Sequence, residues 1–374
     1  MPQIIRIGSR RKAHRETRLL DGELTIFAHR TPPVTDRMLI NALPSAQKGR
    51  VLTGLSSEPL IAMACKALQS EGEVTFFHLD AFHTDTARDT LESNAVPGVD
   101  IVLDADLPVG PFDSAFFAFH QNTEWQLARD ILEQTFSALA PGGNLLVATD
   151  NPRDSKLAQE LQRVFGGVKL EEKNRAGRLY LCRRKGAQKF KRRGYRCTIQ
   201  TRFQNREFEF QTRPGVFSHA KFDDGARALL DVAEFNPGDS LLDLGCGYGS
   251  VGVIMAAQMN GKVTLLDSNA RAAALANENL SLNKATNGEV ILTATVDAGD
   301  RRFDRVLANP PYFSNYSISD LFIRRSHELL NPSGTLQLVT KSPAPHVEMF
   351  EKMFGNAEIT TRRGYSVVRG IKDS

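Results

Sequence analysis

The chain has only four cysteines, and none is placed to work with another. Cys65, Cys182, Cys197 and Cys246 form no C-x-x-C pair, so neither a disulfide framework nor a zinc site is expected, and no metal. A reducing, cytoplasmic setting is the expectation. No run of about 18 uncharged apolar residues exists, which argues against a membrane span. The basic N-terminus is not followed by an apolar stretch with a small-residue cleavage site, so no secretory leader is read. Acidic residues are missing altogether between Cys182 and Cys197. That stretch carries Arg183, Arg184, Lys185, Lys189, Lys191, Arg192, Arg193 and Arg196. A second basic run from Arg6 to Arg18 is interrupted only by Glu16. Runs of this kind neutralise phosphates and add salt-sensitive affinity for nucleic acid, although a solvated linker has the same composition.

The remainder is ordinary globular protein. Its 374 residues are 41% hydrophobic and 24% charged, with a net charge of +4. At roughly 100–200 residues per domain this is enough for two cores.

The two halves repeat each other. A shift of 191 residues carries Phe112 and Asp113 onto Phe303 and Asp304, and Leu139 and Gly143 onto Leu330 and Gly334. It also carries Val51 and Gly54 onto Leu242 and Gly245. A period this long means two copies of one fold rather than a solenoid. Each copy alternates short apolar runs with helical stretches, which predicts an α/β fold with a doubly wound, mostly parallel sheet. Each ends in two strand-like runs around a basic, glycine-containing turn, so an antiparallel hairpin should close the sheet. Another hairpin is read around residues 204–206. The expected domains are residues 1–188 and 189–374.

The second copy carries the chemistry. Its first strand runs into Asp243-Leu244-Gly245-Cys246-Gly247-Tyr248-Gly249. The glycines permit a tight turn and close approach of backbone to a ligand. The dinucleotide spacing would need glycine at Ser250, and an acid ahead of the loop suits a ligand bearing an amino group. Asp267 ends the next strand, where a carboxylate can accept from both ribose hydroxyls. Asp297 follows the third strand and could meet an adenine amino group. A single aspartate in such a place is commonly a helix cap. Three at one sheet edge, where α/β folds bind ligands, are a stronger signal.

Asn309-Pro310-Pro311-Tyr312 follows the fourth strand. The Asn309 side-chain oxygen and the Pro310 carbonyl can accept the two hydrogens of a planar amino group. The prolines supply no N–H to compete for those acceptors. The Tyr312 ring can stack on the plane that carries the amino group. Such a site works by positioning and electrostatics and needs no strong base. A base within paired RNA would have to leave its stack to enter it.

In this order the motifs resemble the class I S-adenosylmethionine-dependent methyltransferases that modify amino nitrogens. Residues 214–218, Pro-Gly-Val-Phe-Ser, and the duplicated layout are similar to the ribosomal RNA guanine-N2 methyltransferases of the small subunit, the methyltransferase C family. The resemblance implies two tandem Rossmann-like domains, with catalysis confined to the C-terminal one. It implies S-adenosylmethionine as cofactor, held by Asp243, Gly245, Cys246, Gly247, Gly249, Asp267, Asp297 and Asn309. Asn309, Pro310, Pro311 and Tyr312 would be catalytic. Phe217, Ser218, Tyr312 and Phe313 would meet the substrate base, and Lys189, Lys191, Arg192 and Arg193 the RNA. The implied partner is ribosomal RNA or a ribosomal subunit, met by a monomer. The family more often has N-P-P-F, and N-P-P-Y also occurs in adenine-N6 and protein glutamine-N5 methyltransferases, so both stay open as alternatives.

The first copy lacks these groups. Residues 52–58 keep one glycine and no leading acid, and Ala118-Phe119-His120-Gln121 stands opposite the N-P-P-Y motif. Asp80 is the nearest match to the ribose acid. A domain that kept its fold and lost its catalysis is expected, serving folding and RNA recognition. A non-catalytic RNA-binding assembly factor is the remoter alternative.

Overall fold

The computed structural model describes residues 4–9, 19–20, 23–28, 31–43, 49–69, 72–186, 190–311 and 316–373. The chain divides by its contacts into two compact units, Met1–Tyr195 and Arg196–Ser374.

In the first unit, Ile4–Ser9 (β1), Leu19–Leu20 (β2) and Glu23–Ala28 (β3) form a small sheet in the order β1-β3-β2. Val34–Ala42 (α1) leads to the main sheet. Its strands are Val51–Gly54 (β4), Val74–His78 (β5), Val99–Leu103 (β6), Phe112–Phe119 (β7), Leu139–Thr149 (β8), Lys169–Lys173 (β9) and Arg178–Arg183 (β10). They lie in the order β6-β5-β4-β7-β8-β10-β9. The first five run parallel, and β10 and β9 are antiparallel. Leu60–Leu68 (α2), Ala81–Ser93 (α3), Trp125–Ala138 (α4) and Lys156–Phe165 (α5) connect them. Helices on both faces explain why β7 reads as a nearly unbroken apolar run.

The second unit opens with the hairpin Cys197–Phe203 (β11) and Arg206–Thr212 (β12). Asp224–Val232 (α6), Gly252–Ala256 (α7), Ala270–Leu282 (α8), Ser317–Leu329 (α9) and Pro343–Phe354 (α10) surround a second seven-stranded sheet. Its strands are Leu241–Leu244 (β13), Val263–Asp267 (β14), Gly288–Leu292 (β15), Phe303–Ala308 (β16), Leu330–Thr340 (β17), Glu358–Arg362 (β18) and Tyr365–Ile371 (β19). The order β15-β14-β13-β16-β17-β19-β18 repeats that of the first unit, strand for strand. Both sheets thus end in the antiparallel hairpin expected from the sequence.

Strand pairing corrects the uniform shift of 191 residues. That shift holds for β7 against β16 and for β8 against β17. Val51 pairs with Ser114, however, and Leu241 with Arg305, which sets β4 against β13 at 190. Val74 pairs with Val51, and Val263 with Leu241, which sets β5 against β14 at 189. Leu55 rather than Gly54 therefore occupies the place of Gly245. Both have left-handed backbones, with φ of 61° and 74°. Each N–H donates to the neighbouring strand, Leu55 to Phe77 and Gly245 to Leu266. Likewise His78, not Asp80, occupies the place of Asp267. Asp80 corresponds to Asn269, and both cap helices of 13 residues.

The basic linker is partly docked. Glu133 of α4, fully buried, accepts from the Tyr195 hydroxyl at 2.8 Å, the Arg193 N–H at 2.7 Å and the Arg163 guanidinium. Arg192 pairs with Asp130 at 3.2 Å. Through these contacts residues 192–195 pack on the first unit.

Candidate active site

The site is built at the carboxyl ends of β13, β14 and β16. Asp243 is a polar residue inside a fully buried strand, 3% exposed. Its Oδ2 accepts from the Gly252 N–H at 2.7 Å. Burial pushes its pKa up to about 7; the Gly252 hydrogen bond opposes this, and Asp267 adds to it. No cation forms an ion pair with it among the described residues.

Asp267 joins the glycine loop to the next helix. Its Oδ2 accepts from the Gly247 N–H at 2.8 Å and its Oδ1 from the Asn269 N–H at 2.9 Å. The loop turns through three left-handed glycines, Gly245, Gly247 and Gly249. A Cβ on Gly245 would lie 3.0 Å from the Phe322 ring, so that position has no room for a side chain. Cys246 is buried: its thiol donates to the Gly247 carbonyl at 3.5 Å and its N–H to Leu266. Asp297 is exposed in the loop after β15 and accepts from the Gly299 N–H at 2.8 Å.

Asn309 leaves the sheet where β16 ends. Pro310 and Pro311 have no N–H to extend the ladder, so pairing with β17 stops at Ala308. The Asn309 Nδ2 donates to Asp223 at 2.9 Å, and the same Asp223 oxygen caps α6 through the Ala226 N–H at 2.8 Å. A carboxylate only accepts, so the amide orientation is fixed and Oδ1 faces the opposite way. Tyr312 and Phe313 lie outside the described residues, as does Lys189.

The segment 214–218 lies against the glycine loop. Arg271, fully buried, donates to the Pro214 carbonyl at 2.6 Å, and Asn269 Nδ2 to the Gly215 carbonyl at 2.9 Å. Phe217 is 54% exposed, and the Ser218 hydroxyl donates to the Lys221 carbonyl. Lys191, Arg192 and Arg193 are exposed on the first unit.

Sequence reasoning missed Asp223, Asn269, Arg271 and Asn279. Asn279 of α8 and Asn283, the residue that caps its C-terminal end, read alternate residues of β12. Asn279 exchanges hydrogen bonds with both backbone groups of Gln211, at 2.7 and 2.9 Å, and Asn283 does the same with Glu209. Asn279 also donates to the Tyr248 carbonyl in the glycine loop, at 2.8 Å. Asparagines four apart on a helix beside a strand were the available signal. Nothing local shows that the helix faces a strand edge.

The first unit has different groups at these positions. Leu55, at the place of Gly245, packs partly buried against the core. His78 accepts from the Asp80 N–H at 2.9 Å, the contact that Asp267 makes with Asn269. Burial, with His83 beside it, lowers the His78 pKa to about 3, so the ring is neutral and carries no charge for a ribose.

A sheet in this order, with a glycine loop after the first strand and Asn-Pro-Pro after the fourth, has the architecture of a class I methyltransferase. The chain belongs to the methyltransferase small domain family, whose model matches twice, over residues 20–180 and 207–369. It is 27% identical over 274 residues to ribosomal RNA small subunit methyltransferase C of Stutzerimonas stutzeri, covering 71% of this chain and 81% of that one. It is 32% identical over 184 residues to the uncharacterized protein YbxB of Bacillus subtilis, 47% of this chain and 91% of that one. Pseudomonas proteins with the first of these names match at 33% identity over about half their length. The solved structure of the T. thermophilus 16S rRNA N2 G1207 methyltransferase (RsmC), in complex with AdoMet and guanosine, has the same fold, with a TM-score of 0.75 at 19% identity over 92% of each chain. No described helix is long and apolar enough to cross a membrane, and no described group of three His, Cys, Asp or Glu is placed to hold a metal.

Proposed function

We propose that the second unit transfers a methyl group from S-adenosylmethionine to the exocyclic N2 amino group of a guanine in small-subunit ribosomal RNA. The observation that carries this reading is Asn309, held by Asp223 with its amide oxygen turned away from that carboxylate. The methyltransferase C relatives and the guanosine complex support the choice of base.

The residues suit the cofactor. A buried carboxylate with a raised pKa and no paired cation, such as Asp243, suits a ligand that brings an ammonium group. Asp267 suits the ribose hydroxyls, Asp297 the adenine edge, and Gly245, Cys246, Gly247 and Gly249 the methionine portion. Bound there, S-adenosylmethionine supplies a methyl group activated by its sulfonium.

Everything else falls to the chain. Asn309 Oδ1 and the Pro310 carbonyl accept the amino hydrogens and so hold the nitrogen lone pair in line. Pro311 stiffens the turn, and Tyr312, Phe313 and Phe217 pack against the base, with Ser218 fixing the turn beside them. The surplus proton leaves the nitrogen for solvent once the new bond forms. Lys189, Lys191, Arg192 and Arg193 contact phosphates, and the first unit serves folding and RNA recognition. We read the protein as a cytoplasmic monomer acting on the ribosomal subunit or its RNA.

Cofactor titration tests the division of labour. One equivalent should bind per chain, be lost in Asp267→Ala and be unchanged in His78→Ala. Two equivalents, or none, would contradict the assignment.

A further inference from the structure

We propose that the first unit has kept a nucleotide-binding pocket at the place where the second unit has its substrate site, and that it holds one nucleotide of a single RNA strand. The idea rests on the RNA reading of the chain, but its test is separate.

A cavity of about 310 Å³ opens at the carboxyl ends of β7 and β8. Its walls include His120 and Gln121, which stand opposite Pro311 and Tyr312 at the 191-residue shift that β7 and β16 obey. Trp125 starts α4 at the wall of this cavity, and by the same shift it matches Tyr316, the residue before α9. Both copies therefore place an aromatic ring after the fourth-strand loop. At the places of Gly245 and Asp267 the first unit has Leu55 and the neutral His78, whereas the edge at β7 and β8 is concave.

The lining suits a base with a phosphate. Trp125 is half-buried with one side in the core, so its ring is held for stacking, which is worth about 1–3 kcal/mol per base. Gln121, Thr123 and Asn151 offer donors and acceptors to a base edge. Arg153 and Lys156 are exposed at the rim, and neither makes an ion pair among the described residues. The nearby acids are each engaged within the unit. Asp150 is engaged by His120 at 3.2 Å and by the Gln121 N–H at 2.7 Å, and Asp154 accepts from the Leu157 N–H at 3.0 Å. Arg153 and Lys156 thus stay available to a phosphate at the rim.

Trp125 is the only tryptophan in the chain, so its fluorescence reports this pocket alone. The full-length protein is titrated with a short single-stranded RNA, and separately with guanosine and adenosine monophosphates. RNA should quench the emission saturably. Arg153→Glu with Lys156→Glu should weaken RNA binding about tenfold and lower the salt slope by about 1.4, two phosphate contacts on a single strand. Asn309→Ala should leave the quench unchanged. If labelled RNA binds by anisotropy while Trp125 emission and the double variant's affinity are unchanged, the proposal fails and the methyltransferase reading stands. Failure of RNA to bind at all, or quenching by monophosphates but not by RNA, also overturns it. Loss of methyl transfer with the quench intact would instead count against the proposed function alone.

Discussion

Asp223 accepts from Asn309 Nδ2 at 2.9 Å and, through the same oxygen, caps α6 at the Ala226 N–H. One carboxylate thus fixes a helix start and the Asn309 amide. Asp223→Ala is expected to lower kcat by about 10²-fold, a typical cost for a disturbed hydrogen-bonding group at the reacting centre. Cofactor affinity should stay within about twofold, and the lost cap should cost about 1 kcal/mol. Asp223→Asn keeps an acceptor at the cap and should recover most of the rate.

Asn309→Ala removes the acceptor itself. Turnover should fall by about 10²–10³-fold while cofactor binding persists. Adding Asp223→Ala to that variant should cost little more, because the two act as one unit. Additive losses in the double-mutant cycle would separate their roles.

Asp243 predicts a pH dependence of opposite sign in the free and bound protein. Its folded pKa of about 7 lies above the ordinary 3.8. The free protein therefore holds a proton that the unfolded chain gives up, and this contribution to stability is lost as pH rises from about 4 through 7. Binding an ammonium group needs the ionised form, so cofactor affinity should fall about tenfold per unit as pH drops below about 7. Asp243→Asn should raise the Tm of the free protein by a few degrees, on the order of 1 kcal/mol, and abolish cofactor binding. Calorimetry between pH 5 and 8 with both proteins checks each sign.

Asn279 ties β12, α8 and the glycine loop together. Asn279→Ala leaves buried backbone groups without partners and should cost about 2–3 kcal/mol. Because the Tyr248 carbonyl is released, cofactor affinity should fall more than tenfold. A destabilised variant with unchanged affinity would confine Asn279 to a structural role.

The alternation of strands and helices and the closing hairpins were legible because each element carries its own apolar period and turn residues. Asp243, the glycines and the Asn-Pro-Pro turn were legible because their residue types are tied to one backbone task each. Their partners were not. Asp223, Asn269, Arg271 and Asn279 act across tens of residues, and nothing in their neighbourhoods marks the contact. The decayed copy was misaligned by one or two residues for the same reason. Leucine does not announce a left-handed turn, and only the β4–β5 pairing shows that Leu55 and His78 took the places of Gly245 and Asp267.

Methyl transfer from labelled S-adenosylmethionine into small-subunit RNA, followed by digestion to nucleosides, tests the central claim most directly. Label in N2-methylguanosine, absent with Asn309→Ala, is the predicted result. Label in N6-methyladenosine, or only in protein, would contradict the assignment of the base.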